Sequence, residues 1–62
     1  MTNKVMIDMW YGDKFSDCDK YDWSFSGIDC IYRGNLYSNG KTVGDFSCSQ
    51  IQDFERIWNN AH

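Results

Sequence analysis

The dipeptide Asn39-Gly40 limits the fold of this chain more than any other feature, because it lies between two runs of β-forming residues. Asparagine and glycine accept the positive φ angles that a type I′ turn requires, and this turn joins two antiparallel strands. We therefore predict a hairpin over residues 30–47, in which Gly34 and Gly44 lie close together and favour a bulge or close packing. Its register would pair Ser38 with Lys41, Tyr37 with Thr42, Leu36 with Val43, Asn35 with Gly44, Arg33 with Phe46 and Ile31 with Cys48.

Two segments before the hairpin alternate between apolar and polar residues, which is the pattern of a strand with one buried face. Residues 4–11 form the first segment and residues 20–27 the second. In the first segment, one face would carry Val5, Ile7, Met9 and Tyr11, and the other Met6, Asp8 and Trp10. In the second segment, the buried face would carry Tyr21, Trp23 and Phe25.

The C-terminal segment changes to the period of an α-helix, from about Gln50 to Asn60. Its apolar stripe consists of Ile51, Phe54, Ile57 and Trp58. Ser47 or Ser49 would begin the helix in a capping box with the glutamine three residues later. The order of elements predicts an α+β fold, a four-stranded antiparallel β-meander with one C-terminal helix packed on one face, in a single domain of residues 1–62.

Composition and charge narrow the classes of function. Four Phe, four Tyr and three Trp residues, and an apolar share of 42%, favour a folded chain over a disordered one. The net charge of −3 argues against direct binding of nucleic acid and suits a basic partner or simple solubility. No apolar run is long enough to span a bilayer, so we expect no membrane partner. Three cysteines without a recognisable secretion signal predict free thiols and a cytoplasmic location.

The segment from Trp10 to Trp23 contains four aspartates, which raises the question of a metal site. These aspartates are Asp13, Asp17, Asp19 and Asp22. A calcium loop also needs a glycine at its bend and a terminal glutamate, and both are missing here. The candidate zinc ligands Cys18, Cys30, Cys48 and His62 lack Cys-x-x-Cys spacing. We therefore predict no metal and no cofactor, and interpret the segment as an acidic connection between two strands.

Neither a catalytic centre nor a nucleic-acid platform is predicted. The only histidine, His62, is the last residue, where we expect little order, and no base is placed beside a serine or cysteine. Tyr32, Arg33 and Tyr37 are similar to an aromatic stacking platform, but the lysines that would neutralise a nucleic-acid backbone are lacking. We expect a protein that is not an enzyme.

A single short helix leaves aromatic surface uncovered, because it is only about 16 Å long and covers the middle of one sheet face. The other face would keep Met6, Trp10 and members of the set Ile31, Tyr37 and Phe46, unless curling of the sheet covers these rings. An uncovered aromatic face is a candidate interaction surface, and an apolar anchor with an acidic rim suits a basic protein. The predicted protein-binding residues are Trp10, Asp13, Asp17, Asp19, Asp22 and Tyr37.

The segments "IDMWYGDK" and "CIYRGNLYSNGKTVGDFS" resemble short proteins carried by phages and other mobile elements of Gram-positive bacteria. This resemblance implies binding to a host protein, because anti-CRISPR and other anti-defence inhibitors come from the same pool and often occupy a basic groove meant for nucleic acid. The leading interpretation is therefore a cytoplasmic inhibitor of a host nucleic-acid-handling protein. The alternative is a homo-oligomeric accessory protein, such as a homodimer, whose uncovered face pairs with itself.

Overall fold

The computed structural model describes residues 4–62. Its strands are β1 (Val5–Met9), β2 (Lys20–Tyr21), β3 (Ser24–Ser26), β4 (Ile31–Ser38) and β5 (Lys41–Cys48). A 3₁₀ turn (Phe15–Asp17) lies between β1 and β2, and the helix α1 (Ile51–Ala61) follows β5. The α+β class and the single C-terminal helix are confirmed, whereas the antiparallel sheet has five strands rather than four.

The strands are not connected as a meander, because β1 lies beside the last strand. The sheet order is β1-β5-β4-β2, with β3 also paired to β4. β1 pairs with β5 over its whole length, from Val5 opposite Cys48 to Met9 opposite Gly44. The chain between β1 and β2 therefore crosses from one edge of the sheet to the other. Alternation predicts a strand but not its neighbour, so the sequence pattern carries no signal for this pairing.

β2 and β3 are two parts of the single strand predicted over residues 20–27. Both follow the same antiparallel register against β4. Between them, the carboxylate of Asp22 accepts a hydrogen bond of 3.0 Å from the backbone N–H of Asn35. This side chain takes the place of a backbone acceptor in the ladder, and the strand is interrupted there.

A β-bulge corrects the predicted register of the hairpin. The turn is confirmed, because Asn39 and Gly40 have φ angles of 53° and 78° and Tyr37 lies opposite Thr42. Beyond Tyr37 the register shifts by one residue, so that Leu36 lies opposite Gly44 rather than Val43. Val43 is the additional residue, and its side chain is buried.

The bulge moves the following side chains of β5 to the opposite face of the sheet. An uninterrupted register places Phe46 opposite Arg33 on the uncovered face, but Phe46 is buried and lies opposite Gly34. A Cβ at Gly34 would lie 2.6 Å from the Phe46 ring and would overlap the carbonyl oxygen of Asp22. The predicted close packing at Gly34 is therefore confirmed.

The core lies between α1 and one face of the sheet. Its buried residues are Cys18, Leu36, Val43, Phe46, Cys48 and Phe54. Phe54 is fully buried, and its ring stacks on Phe46 with the centroids 3.6 Å apart. Ile51 and Trp58 pack against this core, as predicted. Ile57 is 37% exposed, so the predicted apolar stripe is wrong at this position.

Both ends of α1 differ from the prediction. Gln50 is the N-cap residue and no side chain caps the helix, so the predicted capping box is wrong. At the other end, the ring nitrogens of His62 face the carbonyl oxygens of Trp58 and Cys18. The imidazole also stacks on the Trp58 ring with the centroids 4.0 Å apart. His62, which we expected to lack order, therefore ties the end of the helix to the segment before β2.

Two predicted core rings lie outside the core. Trp23 and Phe25 are 46% and 52% exposed, and of the three rings on their predicted face only Tyr21 packs on Phe54. Trp23 and Phe25 pack on Tyr32 instead, with centroid distances of 5.3 Å and 4.8 Å. The short helix covers the ring of Tyr21 but leaves those of Trp23 and Phe25 in contact with solvent.

Candidate protein-binding face

The side of the sheet away from α1 is exposed, and we call it the open face. Its side chains come from alternate positions of β1, β4 and β5 and from the chain around β3. The open face consists of Met6, Asp8, Trp10, Asp22, Ser24, Arg33, Asn35, Tyr37, Asp45 and Ser47. Met6 and Trp10 are 64% and 46% exposed, which confirms their predicted place on the uncovered face.

A row of acidic side chains crosses the open face from edge to edge. Asp8 of β1 lies opposite Asp45 of β5, and Asp45 lies opposite Asn35 of β4. The row ends at Asp22, whose backbone N–H donates to the Asn35 carbonyl at 3.1 Å. Because side chains directly opposite in an antiparallel pair have Cβ atoms about 4.5–5.5 Å apart, the carboxylates of Asp8 and Asp45 repel each other.

No cation within residues 4–62 forms an ion pair with the opposed aspartates. Arg33, in the next row of the open face, pairs with Asp29 at an Nη2–Oδ2 distance of 2.7 Å. The other ion pair of the described residues, Arg56 with Asp53, lies within α1. The negative charge of Asp8 and Asp45 is therefore uncompensated in the described part of the chain.

The acidic row lies in a shallow depression with a volume of about 810 Å³. Its walls include Met6, Asp8, Asp22, Trp23, Arg33, Asn35 and Asp45. The apolar side chain of Met6, on β1, thus flanks the carboxylates. Lysine and arginine carry a charged group on a long apolar stem, so the chemistry of this depression fits such side chains.

Two of the predicted binding residues, Asp22 and Tyr37, bind each other. The hydroxyl of Tyr37 donates to Oδ2 of Asp22 at 2.7 Å. This bond, followed by the bond from the Asn35 backbone N–H, lowers the pKa of Asp22, and the same Tyr37–Asp22 bond raises the pKa of Tyr37. Asp22 therefore stabilises the interrupted strand and remains ionised at neutral pH.

The other predicted acids lie in the connection between β1 and β2, outside the open face. Asp13, Asp17 and Asp19 lie near Cys18, whose pKa is raised first by burial of the thiol and then by these three charges. Asp19 also accepts a hydrogen bond of 3.3 Å from the backbone N–H of Asn39 at the hairpin turn. The structure therefore groups these acids around a buried thiol and the hairpin turn.

The crossing connection separates the two ends of the acidic segment. β1, which ends just before Trp10, and β2, which ends just before Asp22, lie at opposite edges with β5 and β4 between them, so these two strands are about 14 Å apart. The segment is an acidic connection between two strands, as predicted, but the two strands are not neighbours in the sheet, as the predicted meander required. The carboxylates that neighbour Trp10 in the sheet register are those of Asp8 and Asp45.

Sequence reasoning placed Asp8 on the correct face without assigning it to a site, and it missed Asp45. The alternation of Asp8 with Met6 and Trp10 along the strand predicts the face on which Asp8 lies. No local pattern predicts the position of Asp45, because Asp45 reaches the open face only through the bulge at Val43.

The remaining sequence predictions concern metals, thiols and membranes. The described residues contain no group of three or more His, Cys, Asp or Glu side chains that could hold a metal ion. The cysteines are free thiols, with Cys18 and Cys48 buried and Cys30 exposed. Among residues 4–62 there is no helix with the length and apolar character needed to cross a membrane.

In comparisons with known proteins, no family model matches the chain, no curated protein matches it and no solved structure matches it. The resemblance to proteins of phages and mobile elements therefore stays a prediction.

Proposed function

We propose that this chain is a small protein-binding module whose open face occupies a basic surface of a partner protein. The observation that carries the proposal is the pair of Asp8 and Asp45, two carboxylates held opposite each other without an ion-pair partner in residues 4–62. Like charges directly opposite in a sheet destabilise the fold. A cationic side chain of a partner would relieve this repulsion, so the pair favours binding while it opposes folding.

Exposed apolar side chains beside the acids provide the anchor. Met6 and Trp10 alternate with Asp8 along one face of β1 and are 64% and 46% exposed. Tryptophan is among the residues that carry most of the binding energy in interfaces, whereas surrounding charges mainly set the association rate and the choice of partner. We therefore assign Trp10 as the anchor and the acidic row as the element that selects a basic partner.

The charge of the open face indicates the class of partner. Proteins that handle nucleic acid carry clusters of lysine and arginine for the phosphates. A protein of net charge −3 with an acidic face would compete for such a cluster and would itself avoid nucleic acid. Together with the resemblance to phage and mobile-element proteins, this supports a cytoplasmic inhibitor of a host nucleic-acid-handling protein, of the anti-CRISPR or anti-defence kind.

Affinity capture from the lysate of a Gram-positive bacterium tests the proposal with two matched baits. Asp8→Asn with Asp45→Asn removes the opposed pair, and Asp13→Asn with Asp17→Asn removes the same charge outside the open face. We expect the unchanged chain and the second bait to retain a basic nucleic-acid-binding protein that the first bait does not retain. Double-stranded DNA should compete for that protein, because both ligands use its basic surface.

Equal capture by the two baits would contradict the role of the open face, since only the net charge would then matter. A captured protein that binds this chain and DNA at the same time would contradict the inhibitor assignment.

A further inference from the structure

The outer edge of β1 is open to another strand. Within residues 4–62, β1 pairs only with β5, over all five of its residues and without a bulge. The chain contains no proline that would block such an edge. A regular edge strand presents unpaired N–H and C=O groups, and another chain can pair with them.

One hydrogen bond determines which backbone groups of β1 face outward. The N–H of Trp10 donates to the carbonyl of Val43 at 2.9 Å, in continuation of the register between β1 and β5. Opposite residues of an antiparallel pair alternate between hydrogen-bonded and non-hydrogen-bonded positions. The even-numbered residues of β1 therefore bond to β5, and the backbone groups of Val5, Ile7 and Met9 point away from the sheet.

We propose that this edge pairs with β1 of a second copy of the chain, which gives a homodimer with one continuous sheet. In a two-fold pairing centred on Ile7, this residue lies opposite its own copy, and Val5 lies opposite Met9 of the second copy. All three outward-facing residues then occupy hydrogen-bonded positions, with two backbone hydrogen bonds for each pair. Their side chains, which are half-buried against the core, cover those of the second copy.

Charge and hydrogen bonding select this register over its neighbours. A shift that centres the pairing on Asp8 would set two carboxylates directly opposite each other. The opposite shift, centred on Met6, would set Lys4 directly opposite Asp8 of the second copy, but only Val5 and Ile7 of the three outward-facing residues would then pair within β1. In the register centred on Ile7, Lys4 lies opposite Trp10 of the second copy and within diagonal reach of its Asp8. The lysine can therefore contact the indole ring or the carboxylate.

Dimerisation would also stabilise a chain of this small size. A domain of 62 residues buries a small core, and association is one of the usual ways in which such domains gain stability. The dimer aligns the open faces of both copies on the same side of the joined sheet. This inference does not depend on the proposed basic partner.

Amide hydrogen exchange measured by NMR tests the dimer without any substitution. Samples from about 10 µM to about 1 mM are compared, because dimerisation follows mass action. We expect the amides of Val5, Ile7 and Met9 to be protected at high concentration and to exchange rapidly on dilution. The amides of Met6 and Asp8, which bond to β5, should be protected at both concentrations and serve as the internal control.

Sedimentation at the same concentrations, with charge variants, tests the contact between Lys4 and Asp8 of the two copies. Lys4→Glu should weaken the dimer by about fivefold at low salt, since two contacts of about 0.5 kcal/mol are lost for each dimer. Adding Asp8→Lys to Lys4→Glu should restore the affinity, because the exchanged charges attract again. Both residues are exposed, so the fold of the monomer is retained.

A sedimenting monomer at every concentration would overturn the proposal. A dimer in which the Ile7 amide exchanges rapidly would also overturn it, because the contact would then lie elsewhere. A charge exchange that fails to restore affinity would overturn the register.

Discussion

The aspartates of this chain differ in what their carboxylates contact. Asp19 and Asp22 accept hydrogen bonds from the chain, and Asp29 pairs with Arg33, so these carboxylates hold turns and strands in place. Asp8 and Asp45 face each other and have no ion-pair partner within residues 4–62. For this pair, stability and binding should therefore respond to substitution in opposite directions, as is common where a site is kept for function.

We expect Asp45→Asn to raise the free energy of unfolding by about 0.2–1 kcal/mol, because it removes one charge of an opposed pair. In a domain of this size, 1 kcal/mol corresponds to about 4–8 °C in melting temperature. Asp17→Asn, an exposed acid on the 3₁₀ turn, removes the same net charge and should change the melting temperature less. Thermal unfolding at low salt measures both, and equal shifts would assign the effect to net charge alone.

The bond between Tyr37 and Asp22 gives stability a pH dependence of defined sign. The pKa of Asp22 is lowered in the folded state from its ordinary value of 3.8, so the bond contributes above that value and is lost as the pH falls through the folded pKa. The pKa of Tyr37 is raised from 10.0, so its contribution is present below pH 10.0 and is lost only at higher pH.

We therefore expect Tyr37→Phe to lower the melting temperature by a constant amount from about pH 5 to about pH 9. The difference between the two proteins should close as the pH falls through the lowered pKa of Asp22, because the carboxylate becomes protonated there. Thermal unfolding across this range measures the effect. A difference that does not shrink at all as the pH is lowered below 3.8 would show that the ionised carboxylate is not the acceptor that matters.

Among the elements, those set by local chemistry were predictable. The Asn39-Gly40 turn follows from the φ angles of two residues, and α1 follows from the period of its apolar residues. The pairing of β1 with β5 and the bulge at Val43 depend on contacts between distant segments, so no local pattern encodes them. One additional residue in β5 then changed the predicted face of Phe46.

We expect Phe54→Ala to lower the free energy of unfolding by about 3–5 kcal/mol, which is enough to unfold a domain of this size. Phe54 is fully buried between α1 and the sheet and stacks on Phe46. Ile57→Ala, on the same helix at a position that is 37% exposed, is the matched control and should cost much less. Denaturant unfolding measures both, and similar losses would contradict the assigned orientation of the helix.

In the whole molecule, one core connects the sheet, the helix and the segment before β2. Cys18 and Cys48 belong to this core, and Cys30 is exposed in the turn between β3 and β4. Alkylation of the native protein without reductant should therefore modify Cys30 first. The other two thiols should react together on unfolding, because a small domain unfolds as a unit. Mass spectrometry of intact protein and peptides follows this, and rapid native alkylation of Cys48 would contradict the core.

The candidate face was predictable only in part at this scale. Alternation along β1 predicted that Met6 and Trp10 are uncovered. The cluster of aspartates after β1, however, led to a predicted acidic site in that connection rather than on the sheet. The structure assembles the opposed pair Asp8 and Asp45 from two strands that meet only in the folded chain. Such a surface depends on which strands pair in the sheet, and the pattern of a single sequence does not predict that pairing.

The most direct test of the central claim is an NMR titration of the isotope-labelled protein with a short oligoarginine peptide. We predict that the amide shifts of β1 and β5 around Asp8 and Asp45 change first, because the uncompensated carboxylates lie there. These changes should disappear in the variant with Asp8→Asn and Asp45→Asn and persist in the variant with Asp13→Asn and Asp17→Asn, which has the same net charge. Shift changes that follow the acids of the connection instead, and survive loss of the opposed pair, would contradict the open face as the binding surface.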